Sequence, residues 1–241
     1  MATVLLLRHG RTTSNAAGTL AGRSPVELDE TGANQARALG ERLAGLPLTT
    51  VVSSPLHRCL QTLALALPGV EPVLEPGLVE CGYGDWEGQP LKTLAKDPLW
   101  RVVQQHPSAV TFPNGEAMAT MASRAVAAVR THDAWVRDRQ GDTAIWLACT
   151  HGDVIKAIVA DALGLHLDQF QRIMVDPGSV TVIRYTPVRP FLVRLNDSAG
   201  TLGPLAPPPA KRRRAAVSSD APVGGGAGST TSRRAAPPAG R

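Results

Sequence analysis

The strongest constraint on how this 241-residue chain folds is that its first 197 residues alternate between two hydrophobic periods. Val4-Leu5-Leu6-Leu7 is a short continuous apolar run, the pattern of a strand covered on both faces. Between Thr31 and Leu46, Ala36, Leu39, Leu43 and Leu46 follow helical spacing. Thr50-Val51-Val52-Ser53 reads as a second buried strand. Ser54-Pro55 then suits a helix start, with Leu56, Leu60, Leu63 and Leu67 as one stripe. A weak strand near Val70–Leu74 is broken by Pro72, and a long helix is expected from Glu116 to Arg137, with Met118, Met121, Ala125, Val129 and Val136 on one face. Thr143–Thr150 follows as a strand, and Val154, Ile155, Ile158, Val159 and Ala162 mark the next helix. Val180–Tyr185 and Phe191–Leu195 close the pattern as two strands too closely joined for a helical crossover, hence antiparallel. Such alternation implies an α/β fold with a mostly parallel central sheet.

Composition divides the chain in two. The net charge is +5, yet residues 198–241 hold seven basic residues against the single acid Asp220, so the body is nearly neutral. The same segment is rich in Ala, Gly and Pro and lacks aromatic residues, so it is expected to be disordered. The boundaries are thus a folded domain at 1–197 and a basic tail at 198–241. Any nucleic-acid contact would fall to the tail, through Lys211-Arg212-Arg213-Arg214. No apolar stretch is long enough for a membrane span, and the opening residues do not read as a secretory signal. Cys59, Cys81 and Cys149 form no C-x-x-C pair, which points to a reduced, cytoplasmic setting.

Ligands of open α/β sheets sit beyond the carboxyl ends of the strands. Here those ends deliver Arg8-His9-Gly10, the Ser54 to Arg58 turn and Thr150-His151-Gly152. A neutral imidazole is a competent nucleophile toward phosphorus, and phosphoryl transfer otherwise needs positioning and positive charge around the equatorial oxygens. Arg8 and Arg58 offer guanidinium forks, a second histidine can donate to the same oxygens, and Gly10 and Gly152 allow close backbone approach. A metal pair is disfavoured: H-x-x-x-H spacing is absent and two arginines would repel a cation.

The motifs carry a resemblance. Leu7-Arg8-His9-Gly10 with Thr12 and Asn15, Leu28-Asp29-Glu30-Thr31-Gly32, Ser53-Ser54-Pro55-Leu56-His57-Arg58, Glu80 with Tyr83-Gly84-Asp85-Trp86-Glu87-Gly88, and Thr150-His151-Gly152 occur in that order. Together they resemble the histidine phosphatase superfamily, the phosphoglycerate-mutase-like proteins. The resemblance implies a three-layer α/β/α sandwich with a helical insertion, roughly Gly88 to Phe112. It implies that His9 becomes phosphohistidine, that Arg8, Arg58 and His151 hold the phosphate with Asn15 and Gly152 beside them, and that Glu80 is the acid and then the base. Glu80 is preferred over Asp85 and Glu87 on motif position. No cofactor or metal is implied.

The expected activity is hydrolysis of a small-molecule phosphate monoester. The 71-residue separation of Glu80 and His151 and the presence of Arg11 after Gly10 sit closer to phosphatases than to mutases. A phosphomutase and a phospholigand-binding module tethered by the tail are the alternatives, and a homo-oligomer is left open. Asp153 reads as a first-turn carboxylate favoured by the helix dipole, Trp86 and Trp100 as core or cleft wall, and Gly22 and Arg23 as minor loop residues.

Overall fold

A computed structural model describes residues 2–205. Six strands, β1 (Thr3–Arg8), β2 (Leu48–Ser53), β3 (Val73–Leu74), β4 (Ile145–Thr150), β5 (Val180–Tyr185) and β6 (Pro190–Asp197), form one sheet in the order β3-β2-β4-β1-β5-β6. The first four run parallel; β5 is antiparallel to β1, and β6 to β5. The helices are α1 (Thr13–Ala17), α2 (Glu30–Leu43), α3 (His57–Ala66), α4 (Leu91–Leu94), α5 (Pro98–Gln105), α6 (Met118–Gln140) and α7 (Gly152–Ala162).

The pleat sorts the core into two halves. Val4 and Leu6 of β1, with Trp146 and Ala148 of β4, face α6 and α7. Leu5 and Leu7, with Ile145, Leu147 and Cys149, face α2 and α3. The result is a three-layer α/β/α sandwich, and both central strands are covered on both faces. α4 and α5 form the insertion; Leu94 and Val103 anchor it to the α6–α7 side.

Several elements differ from the sequence pattern for identifiable reasons. β2 is only half-buried along most of its length because its outer neighbour β3 has two residues. α3 starts at His57, with Leu56 rather than Ser54 at the cap and no side-chain capping bond. Of the Leu56–Leu60–Leu63–Leu67 stripe it buries only Leu63, together with Arg58, Cys59, Thr62 and Ala66, a rotation that turns the guanidinium inward. Trp86 is buried, stacked near Trp100 at 6.1 Å and edge-on to Phe112, so it belongs to the core rather than the cleft. Residues 198–205 are described too. Leu202 is fully buried beside Leu5 and Leu7, and Arg42 donates to the carbonyls of Asp197 and Gly200 and to the Asp197 carboxylate. The rest of the tail, including Lys211 to Arg214, lies outside the described residues. Among the described residues no helix is long and apolar enough to cross a membrane.

Because β4 is inserted between β1 and β2, the segments leaving all three are neighbours. The ladder continues past the strand ends: His9 N–H donates to Thr150 O at 3.1 Å, and Ser54 N–H to Cys149 O at 2.9 Å. Gly10 then passes against the start of α2, where a Cβ would come within 2.5 Å of Gly32 O, and a Cβ on Gly32 would overlap Arg11 O. Gly10 is therefore needed for backbone–backbone contact with α2. Substituting alanine at Gly10 or Gly32 should cost about 2–3 kcal/mol through overpacking, lowering the melting temperature by roughly 5–10 °C. At Gly152, where an added Cβ would make only ordinary contact with Arg8 at 3.4 Å, alanine should leave it nearly unchanged; thermal melts of the three variants check this.

Candidate active site

His9 is buried at the end of β1. Its Nδ1 lies 2.8 Å from Gly10 O, and since a carbonyl only accepts, Nδ1 carries the proton and Nε2 a lone pair. Arg58, in the first turn of α3, places its Nε–H 3.2 Å from His9 Nε2 and also 3.2 Å from His151 Nδ1. One donor is thus shared by two imidazole lone pairs, which requires both rings to be neutral. On the far side of its ring, His151 Nε2 lies 2.8 Å from Ser54 Oγ. The ring centroids of His9 and His151 are 5.2 Å apart. Burial first, and then Arg58, push both imidazoles well below the usual histidine range; Arg8 adds to this for both.

The guanidinium groups are held by carbonyls rather than acids. Arg58 Nη2 donates to Gly22 O at 2.7 Å, and Arg8 Nη1 to Val175 O at 2.6 Å. Gly22 has φ +54°, and a Cβ there would run into the Glu87 carboxylate, so the loop that supplies this carbonyl depends on glycine. Arg8 Nε is buried with no partner among the described residues, a donor available to an anionic ligand. Both cations therefore keep their charge directed at the histidines.

Glu80 lies on the same cavity, 9% exposed, with Oε1 accepting from Cys81 N–H at 3.0 Å. Burial and the nearby Asp153 carboxylate raise its pKa to about 7, against the opposing pull of Arg58 and Arg8. A carboxyl that is half protonated at neutral pH can give a proton and take one back. Its backbone is fixed from outside: Glu80 O accepts from Arg23 Nε and Arg124 Nη2, each at 3.1 Å. Arg124 Nη1 also holds the carbonyls of Gly77 and Val79, and Glu116 bridges the two arginines.

Arg8, His9, Asn15, Arg58, Glu80 and Gly152 all line one cavity of about 450 Å³, and His151 sits directly behind Arg58. The Asn15 carbonyl is already used, accepting from Thr12 N–H and Oγ–H to cap α1, so only its amide nitrogen is left for a ligand. Asp85 and Glu87 are absent from the cavity wall. The sequence reading gave Asp153 only a helix-dipole role, and gave none of their own to Tyr83 and Lys156 on that wall or to Thr62, whose Oγ accepts from Gly10 N–H. The spacing of Asp153 and Lys156, one turn apart at the start of α7, was the available signal. Among the described residues no three His, Cys, Asp or Glu side chains gather as a metal site.

A neutral imidazole between two guanidinium groups, with a carboxyl poised near neutrality, makes this an α/β enzyme site suited to phosphoryl transfer. The chain belongs to the histidine phosphatase superfamily (branch 1), whose family model matches residues 4–198. It is 31% identical over 185 residues to the "Probable phosphoglycerate mutase GpmB" of Erwinia tasmaniensis, covering 75% of this chain and 84% of that one. It is 28% identical to "Phosphoserine phosphatase 1" of Hydrogenobacter thermophilus over 200 residues, 81% of this chain and 92% of the relative. Among solved structures, YhfR of Bacillus stearothermophilus matches with a TM-score of 0.74 and 28% identity, over 82% of this chain and 98% of that one.

The Arg124 network generates its own test. Arg124→Met leaves the carbonyls of Gly77 and Val79 without their side-chain donor and takes one of two arginine donors from both Glu80 O and the Glu116 carboxylate, which keep Arg23. A loss of about 3 kcal/mol is expected from orphaning such acceptors, measured by urea denaturation, together with a fall in turnover because the Glu80 loop loses its support.

Proposed function

We propose that this chain hydrolyses small phosphate monoesters through a phosphohistidine on His9, in a cytoplasmic setting that suits its three unpaired cysteines. The observation that supports this most directly is the Arg58 Nε–H shared between His9 Nε2 and His151 Nδ1, which keeps the attacking imidazole uncharged and in place. In the catalytic cycle a phosphoryl group enters between Arg8 and Arg58, and the Arg58 donor passes from the His9 lone pair to a phosphoryl oxygen. His9 Nε2 then forms the N–P bond as the ester P–O bond breaks, and the Glu80 proton goes to the departing oxygen. Water attacks the phosphohistidine, gives its proton to the Glu80 carboxylate, and inorganic phosphate leaves. Once the Arg58 donor has turned to the phosphate, His151 can contribute as its other tautomer, the single ring proton lying on Nδ1 toward a phosphoryl oxygen and Nε2 accepting a hydrogen bond from the Ser54 hydroxyl in place of donating to it. The two guanidinium groups, with the buried Nε–H of Arg8, supply the positive charge this transfer needs.

The relatives' names include both a mutase and a phosphatase. We favour hydrolysis because the outer cavity is open to water: Met174 and Leu91 on its rim are 65% and 38% exposed. A mutase must keep its phosphoenzyme from water while the substrate turns. Transfer of labelled phosphate to an added alcohol in preference to water would decide for the mutase reading.

Replacing His9 with alanine should reduce hydrolysis of an aryl phosphate to background, and Glu80→Gln should lower hydrolysis of an alkyl phosphate, whose leaving group needs a proton, by about 10²–10⁴-fold, while a chelator leaves the wild type active. An active His9→Ala protein removes the proposal. The pH dependence of kcat/KM follows from the two shifts. His9, with its pKa pushed down, stays a free base until well below 6.5 and gives the acid limb. The Glu80 carboxyl loses its proton through about pH 7, so the rate falls above that point. A profile rising steadily past pH 8 would contradict the assignment.

A further inference from the structure

Asp153 follows His151-Gly152 in the first turn of α7, where a carboxylate satisfies the helix dipole from any rotamer. The structure holds it far more tightly than that role requires. Tyr83 Oη donates to its Oδ2 at 2.8 Å, and Lys156 Nζ to its Oδ1 at 3.2 Å. Both partners are themselves fixed. Tyr83 packs edge-on against Phe112 at 4.9 Å, and burial pushes its phenol well above the usual range, so it remains a donor. Lys156 also donates to Gln171 Oε1 at 3.2 Å and lies over the Phe170 ring. Tyr83 is three residues from Glu80 in the same loop, so the Tyr83–Asp153 bond ties the acid-bearing loop to the helix that presents His151. All four residues, Glu80, Tyr83, Asp153 and Lys156, face one cavity.

We propose that Asp153, clamped between Tyr83 and Lys156, is the positioning residue that keeps the Glu80 carboxyl in its proton-donating form. This deepens the reading of Glu80 as the proton donor and rests on it. The other charges around Glu80 act the opposite way or are spent elsewhere. Arg58 and Arg8, from α3 and β1, favour the carboxylate, as does the Cys81 N–H. Arg23 and Arg124 are bound to the Glu80 carbonyl and to Glu116. Tyr83 and Cys81 stay protonated and His9 and His151 neutral, so none of them opposes ionisation of Glu80 with a negative charge. Besides burial itself, Asp153 is the group that holds the proton on Glu80 against two guanidinium ions. Lys156 offsets part of that charge and limits how far the carboxyl is pushed.

Asp153→Asn tests this, since the amide keeps an acceptor for Tyr83 and the same shape but drops the charge. Profiles of kcat/KM against pH are recorded for the wild type, Asp153→Asn, Lys156→Met and Glu80→Gln, each with an alkyl phosphate and with p-nitrophenyl phosphate. The expected result is a basic limb moved down by about one pH unit in Asp153→Asn and up in Lys156→Met, with the acid limb unmoved. At pH 8 the alkyl ester should lose up to about tenfold in Asp153→Asn, and the nitrophenyl ester much less, because its leaving group departs without a proton. A purely structural role would scale the rate at every pH and for both esters. That result, or a limb that stays in place in Asp153→Asn, overturns the proposal. Should Asp153→Asn fail to fold, the Lys156→Met shift carries the test, and a downward or absent shift counts against it. Glu80→Gln separates the two layers: if it abolishes the basic limb while Asp153→Asn leaves that limb unmoved, only the role of Asp153 falls. If the limb survives Glu80→Gln, the donor reading falls with it.

Discussion

A single N–H group shared by two imidazoles governs the rest of the site. Arg58 has one Nε–H, and two rings from strand ends 142 residues apart present lone pairs to it at equal distance. That geometry is satisfied only when both rings are neutral and each has its proton on the other nitrogen. Gly10 O and Ser54 Oγ are the groups that accept those protons. Tautomer, charge and orientation of two side chains are thereby fixed by one guanidinium. The sheet order makes the arrangement available, because β4 lies between β1 and β2 and brings all three segments within a hydrogen bond of each other.

Burying two guanidinium groups without acidic partners is costly, and the structure does not offset the cost with ion pairs. Carbonyl oxygens of Gly22 and Val175 take individual N–H groups instead. A carboxylate in their place would cancel the field at His9, whereas a carbonyl satisfies a donor and leaves the charge intact. The price in stability is the source of the function: positive charge concentrated where a phosphate must bind. The Glu116 carboxylate pairs with arginines one layer out, bridging Arg23 and Arg124, which in turn brace the Glu80 backbone at its carbonyl.

The legible parts of this molecule were those governed by local periodicity. β1 and β4 announce themselves as apolar runs, and the buried faces of α6 and α7 fall where the 3.6-residue spacing of methionine, valine and isoleucine puts them. The strand ends could be located for the same reason, and with them His9, Arg58 and His151. Local rules failed where a side chain answered to a distant partner. Ser54 looks like a cap, and its Oγ does accept from Leu56 N–H, but its shorter contact is to His151, 97 residues away. The leucine stripe of α3 is displaced because Arg58 and Thr62 must point inward, toward His9 and Gly10. Arg124 is 44 residues from Glu80, and Tyr83 is 70 residues from Asp153; no periodicity encodes such pairs, so the framework around Glu80 was invisible.

The same enclosure drives His9 and Glu80 in opposite directions. Removing water disfavours the charged form of each, which for an imidazole means a lower pKa and for a carboxyl a higher one. The guanidinium groups reinforce the first effect and oppose the second, so burial and positive charge alone would give a well-prepared nucleophile beside a carboxyl inclined to ionise. A proton donor at neutral pH therefore needs a nearby negative charge that does not pair with the arginines. In the proposal, Asp153 meets that requirement because its two oxygens are hydrogen-bonded by Tyr83 and Lys156 rather than by Arg8 or Arg58, although its charge also acts on Arg8. On the mechanism proposed, nucleophile and acid then coexist in one cavity at one pH, which a site built only from arginines and histidines could not arrange.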